Sequence, residues 1–191
     1  LQAWLTTEGI DIKTIGIFTV LTFPYSFKFL WSAIFDRFNI VGLGRRRGWI
    51  IICQILILFG TFLMITFTPE HLLIFSILAA MIAFFSASQD ISIDAYRTEI
   101  LRPEDRGIGA AFSVTAYRIA LIVAGGLCLL LADYLGWQIA LTIITSLLVL
   151  GIITTFWADE PKGIKKPTTF KESFIEPFRD LLKREKSIIL L

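Results

Sequence analysis

Residues 49–68 read WIIICQILILFGTFLMITFT, twenty positions without one Asp, Glu, Lys or Arg. A bilayer's hydrocarbon core is about 30 Å thick, and about 20 predominantly apolar helical residues cross it with every backbone N–H and C=O paired internally. That stretch decides the fold class. Four others of similar length and character flank it, roughly 14–35, 72–95, 108–131 and 138–157, so residues 1–157 are expected to form an all-α, polytopic membrane bundle of five helices. The connections 69–71 and 132–137 are short enough to demand antiparallel hairpin neighbours. Pro69 and Pro103 suit the first turns of the helices that follow them, and Pro24, by freeing the carbonyl of Val20, predicts a kink just before Lys28.

Composition agrees with the periodicity. The hydrophobic class makes up 55% of the 191 residues and mean hydropathy is +0.74, against roughly 45–50% apolar in a soluble domain. A net charge of +2 gives no global field for attracting nucleic acid. One His and two Cys cannot build a zinc or haem site, no HExxH, CxxC or GxxxxGK[ST] spacing occurs, and no cofactor is expected. The depths of Cys53 and Cys128 in their helices are too different for a bridge, and His71 reads as an interfacial or capping residue.

Orientation follows from Lys and Arg, which stay in cytoplasmic loops. Residues 36–48 hold four (Arg37, Arg45, Arg46, Arg47), 96–107 three (Arg97, Arg102, Arg106) and 158–187 eight, while Lys13 alone occupies the alternate connections. Fifteen against one places residues 1–13 outside, which implies a missing helix before Leu1. Residues 158–186 then read as a cytoplasmic linker between two helical halves, and 187–191 as the start of the next transmembrane helix. Within the linker, Phe170, Phe174, Phe178, Leu181 and Leu182 oppose Lys171, Arg179, Lys183 and Arg184 on an amphipathic helix that Pro177 interrupts. Trp49, Trp137 and Trp157 near the boundaries suit an aromatic belt or a buried core.

Two cations and two carboxylates remain inside the apolar segments: Lys28, Asp90, Asp94 and Arg118. A central Lys, Arg or Asp costs about 2.5–3.5 kcal/mol on the insertion scale, so such residues face the bundle interior, pair, or line an aqueous path. Arg118 lies about 15 Å beyond the start of its helix, near the midplane. Ser86, Asp90, Asp94 and Arg97 share one helix face; Tyr25, Lys28 and Ser32 share another. Two readings stand: interhelical glue, or a coupled network in which Arg118, Tyr117, Lys28 and Tyr25 bind an anionic or polar solute while Asp90 and Asp94 carry proton or ion coupling. Asp36, Arg37, Arg45, Arg46 and Arg47 read as a gating loop.

The stretch Asp36-Arg37 followed by Gly44-Arg45-Arg46-Arg47-Gly48 resembles, with an insertion, the loop between helices 2 and 3 of major facilitator transporters. Residues 88–138, SQDISIDAYRTEILRPEDRGIGAAFSVTAYRIALIVAGGLCLLLADYLGWQ, resemble the AmpG-type muropeptide permeases of that superfamily, a similarity running over nearly the whole chain. The resemblance implies two halves of a longer transporter, of which this is the N-terminal half without its first helix. It implies a multi-pass protein of the bacterial inner membrane that imports anhydromuropeptides, a glycopeptide class, by proton-coupled alternating access, serving peptidoglycan recycling and β-lactamase induction. Asp90, Asp94 and Arg118 match polar positions of the family's helix 4 and helix 5 signature; Ala116 and Arg97 stand where Gly and Lys are usual there. Acetyl-CoA and siderophore-type carriers of the same family are the alternatives. An intramembrane aspartyl hydrolase would need carboxylates converging from opposite sides, whereas Asp90 and Asp94 share one helix face, and a channel or scaffold has no use for a charge-neutral internal cluster.

Overall fold

A computed structural model describes residues 1–40, 42–67 and 71–161. Two short helices, α1 (Gln2–Thr7) and α2 (Ile12–Ile17), lead through a 3-10 turn at Phe18–Thr22 into α3 (Phe23–Phe27) and α4 (Phe29–Arg37). The long elements are α5 (Arg46–Phe67) and α6 (Leu72–Ile100), then α7 (Arg106–Leu121), which passes through a π-helical turn at Ile122–Leu127 into α8 (Cys128–Leu135), and finally α9 (Trp137–Trp157). Four rods are long and apolar enough to cross a membrane: α5, α6, the continuous stretch Pro103–Leu135, and α9. Residues Ile12–Phe27 and Phe29–Arg37 form a fifth when taken together, bent by 50°. Pro24 occupies the first turn of α3, where its missing N–H is no loss, and the bend itself falls at Lys28.

The helices outrun the apolar segments. The third long span continues to Ile100 and the fourth runs from Pro103 to Leu135, because an apolar count marks the lipid slab while backbone hydrogen bonding carries a helix past it. The π turn contains Gly125 and Gly126, whose weak helix propensity permits the wider winding. Between α8 and α9 the chain reverses at Gly136, whose φ of +83° lies in the region that favours glycine. His71 is the residue preceding α6, in the N-cap position. Residues 68–70, with Pro69, and 162–191, with the amphipathic linker helix and the start of a next span, lie outside the described residues.

α5 is the central element, packed against α6 on one side and α9 on the other. Gly60 permits close approach, for a Cβ there would stand 3.0 Å from Ile82 Cγ1. At the end away from the arginines a core gathers Trp4, Leu5, Phe18, Met64, Phe75, Leu78 and Ala79. Trp4 meets Phe75 edge-on at 5.4 Å, Phe18 meets Phe75 at 6.1 Å, and Trp137 stacks on Trp4 at 6.4 Å. Trp137 therefore serves this core, while Trp157 is 81% exposed at the opposite end of α9. Cys53 and Cys128 are buried free thiols.

Candidate functional site

The basic end of the bundle is organised by carboxylates. Arg46, 5% exposed, donates from Nη1 to Asp36 Oδ1 at 2.6 Å and from Nε to Glu99 Oε1 at 3.0 Å, with Nη2 on the same Glu99 oxygen. Arg45 completes a fork on Glu99, Nη2 lying 3.0 and 3.1 Å from its two oxygens, and also donates to the Asp36 carbonyl at 3.3 Å. Glu160, just past α9, accepts the backbone N–H groups of Arg45, Arg46 and Arg47 at 2.6, 2.8 and 3.0 Å. These are orphan donors at the start of α5, where the helix dipole also favours an anion. Arg47 reciprocates by donating to the Phe156 carbonyl in the last turn of α9 at 2.9 Å, and the Tyr96 hydroxyl donates to the Asp159 carbonyl at 2.9 Å. The start of α5 and the ends of α4, α6 and α9 are thus tied at one point. Arg37 is exposed at the end of α4 and takes no part among the described ion pairs.

A second charged group lies beside the bend. Lys28 Nζ stands 4.0 Å from Asp94 Oδ2, and Arg97, three residues on along α6, donates to Asp94 Oδ1 at 3.1 Å. Asp90 is half-buried one turn before Asp94. Tyr25, 42% exposed, sits on α3 three residues before the bend. Arg118 and Tyr117 are exposed on α7, Tyr117 at 65%. The structure thus brings Lys28, Asp94 and Arg97 together and leaves Arg118 outside that contact. α7 meets α6 only sparingly, Arg106 donating to the Thr98 carbonyl at 3.1 Å, so its midplane residues look onto the open side of the bundle.

Sequence reasoning passed over Glu99, Glu160, Tyr96 and Ser88. The first two fall in stretches weighed only for Lys and Arg. The arginine run marks a boundary, but nothing in its spacing says that Glu99 and Glu160 meet it.

The major facilitator superfamily model matches residues 2–191. The chain is 45% identical over its whole length to the anhydromuropeptide permease of Escherichia coli K12, of which it covers 40%. It is 38% identical over 97% of its length to a Haemophilus influenzae protein, covering 44% of that protein. A Rickettsia conorii protein carrying the AmpG name is 32% identical over the full chain, which covers 49% of it. The chain accordingly spans less than half the length of these relatives. With its multi-pass helical bundle, it belongs to the major facilitator superfamily.

Proposed function

We propose that the protein containing this chain imports peptidoglycan-derived anhydromuropeptides across the bacterial inner membrane by proton-coupled alternating access, and so serves peptidoglycan recycling and β-lactamase induction. The observation that carries this reading is the 45% identity, over the entire chain, to a relative named for that solute. The charged groups supply the machinery. Protonating Asp94 removes its claim on the Lys28 ammonium, 4.0 Å away, which is then free to hold an anionic group of the solute; deprotonation reclaims it and favours release. Arg118, with Tyr117 beside it and Tyr25 on the bent span, offers a second cation and aromatic surface to the same solute. Asp90 supports the coupling one turn away. The tied cluster of Asp36, Arg45, Arg46 and Glu99 serves as the cytoplasmic latch of one access state, with Arg37 and Arg47 at its margins.

The test is uptake of labelled anhydromuropeptide into proteoliposomes containing the complete protein, with and without an imposed proton gradient. Gradient-driven accumulation is the expected result. Uptake indifferent to the gradient removes the coupling, and transport of acetyl-CoA in place of the muropeptide removes the solute assignment.

A further inference from the structure

Ser88 on α6 is fully buried, and its hydroxyl has two partners: it donates to the Phe84 carbonyl at 2.8 Å and accepts the indole N–H of Trp31 at 3.1 Å. A serine within a helix can satisfy its own proton on the carbonyl four residues back, which leaves the oxygen lone pairs for a donor from elsewhere. Trp31 supplies that donor. Its ring also packs on Phe84, centroids 5.0 Å apart. Among the described residues this is the one hydrogen bond between α4 and α6.

Trp31 lies three residues past the bend. On the other side of the bend the span is held separately, by Phe18 against Phe75 in the core. Between these anchors Phe23, Tyr25, Phe27, Phe29 and Leu30 are exposed. α3, between them, also lies along α6 and Leu21 packs on the core, and the span turns through its 50° between Phe18 and Trp31. A lysine side chain is long and flexible, so it does not fix its own reach. The backbone position of Lys28, three residues from the Trp31 hydrogen bond, sets the range over which the ammonium can reach Asp94, here 4.0 Å away.

We propose that Trp31 and Ser88 are positioning residues: their hydrogen bond sets the bend of the α2–α4 span and thereby keeps the Lys28 ammonium at Asp94. The inference rests on the reading of Lys28 and Asp94 as part of the transport machinery. Either group can be altered without touching a charge, so its effect on the bend can be read apart from electrostatics.

The experiment uses the complete protein in lipid, with nitroxide labels at Val20→Cys, on the first limb of the bent span, and Phe38→Cys, just past the end of the second, each 56% exposed. Pulsed electron paramagnetic resonance reads the label-to-label distance distribution. Ser88→Ala and Trp31→Phe, which keeps an aromatic ring and loses the indole N–H, should each shift or broaden it, and Ser88→Thr should retain the original. Either of the first two variants keeping the original distribution overturns the proposal. In the uptake assay, Ser88→Ala and Trp31→Phe should lower the rate about tenfold, a coupling of ordinary size for contacting residues, with Ser88→Thr restoring it. A shifted distance with unchanged uptake overturns the link to Lys28. Absence of uptake in the unsubstituted protein would remove the transport reading, and the distance distributions would still decide whether the bond sets the bend.

Discussion

Asp94 is the residue on which the charges beside the bend depend unequally. It is shared, with Lys28 at 4.0 Å and Arg97 at 3.1 Å on its two oxygens, so its loss strands two cations, whereas the loss of Lys28 leaves Asp94 still paired. By their positions in apolar segments Lys28 and Asp94 have equal standing; only the third partner breaks the symmetry. The Asp94 side chain is 56% and the Lys28 side chain 36% exposed, but both sit in apolar spans, where a charge left without a partner is unfavourable. Asp94→Asn is therefore expected to reduce the amount of folded protein in the membrane more than Lys28→Met does. The double variant should recover part of that loss, with a coupling of about 0.5–3 kcal/mol in thermal unfolding of the detergent-solubilised complete protein. Strict additivity of the two substitutions would mean that the pair does not interact.

At the scale of elements, the junction of α4, α5, α6 and α9 rests on Glu160 and on the glycine facing it. Gly44 has φ of +88°, and a Cβ there would stand 2.5 Å from the Glu160 carboxyl carbon, so a side chain meets both backbone strain and the anion that caps α5. Gly44→Ala should lose about 1–3 kcal/mol of stability. Glu160→Gln keeps an acceptor oxygen and loses the charge, so it should cost less, and the order of the two melting temperatures checks the assignment. Asp36→Asn, by contrast, weakens a half-exposed contact of Arg46 and should alter uptake rate more than membrane abundance. Equal loss of both would assign Asp36 to folding instead. The arginines of this junction were legible from sequence because basic residues mark a boundary. Asp36 was legible with them in the same loop, whereas Glu99 and Glu160 were not, since Glu160 lies 115 positions from Arg45 and no periodicity connects residues on different helices. The bend was legible, Pro24 predicting a kink just before Lys28, where the limbs Ile12–Phe27 and Phe29–Arg37 meet at 50°, but the side chains that hold each limb were not.

For the whole molecule, the distribution of polarity says which faces meet which surroundings. α5 from Gly48 onward and all of α9 are free of charged residues, whereas Thr115 and Arg118, three residues apart and both exposed, share a face of α7. A lone arginine at the depth of a span's middle is unfavourable against lipid and is placed toward protein or water. That face was unreadable as open or closed from the sequence, because the chain spans less than half the length of its relatives and periodicity reports only that a face is polar. Four of the spans were legible because each satisfies the bilayer's thickness by itself, whereas the first does so only when its two bent pieces are taken together. Their orientation rests on a different physical term, the preference of Lys and Arg for the cytoplasmic side, here fifteen loop cations against one. The two ends of the Pro103–Leu135 rod test it directly. Tyr134 is 82% exposed and the Glu104 side chain 69% exposed, so cysteines at both positions are open to reagent, while Cys53 and Cys128 are buried. In a complete protein whose other cysteines are removed, a membrane-impermeant maleimide applied to intact spheroplasts should label Tyr134→Cys and spare Glu104→Cys until the membrane is opened. The opposite pattern would invert the bundle and place the Asp36–Arg46–Glu99 junction on the outer surface, where it could not act as a cytoplasmic latch.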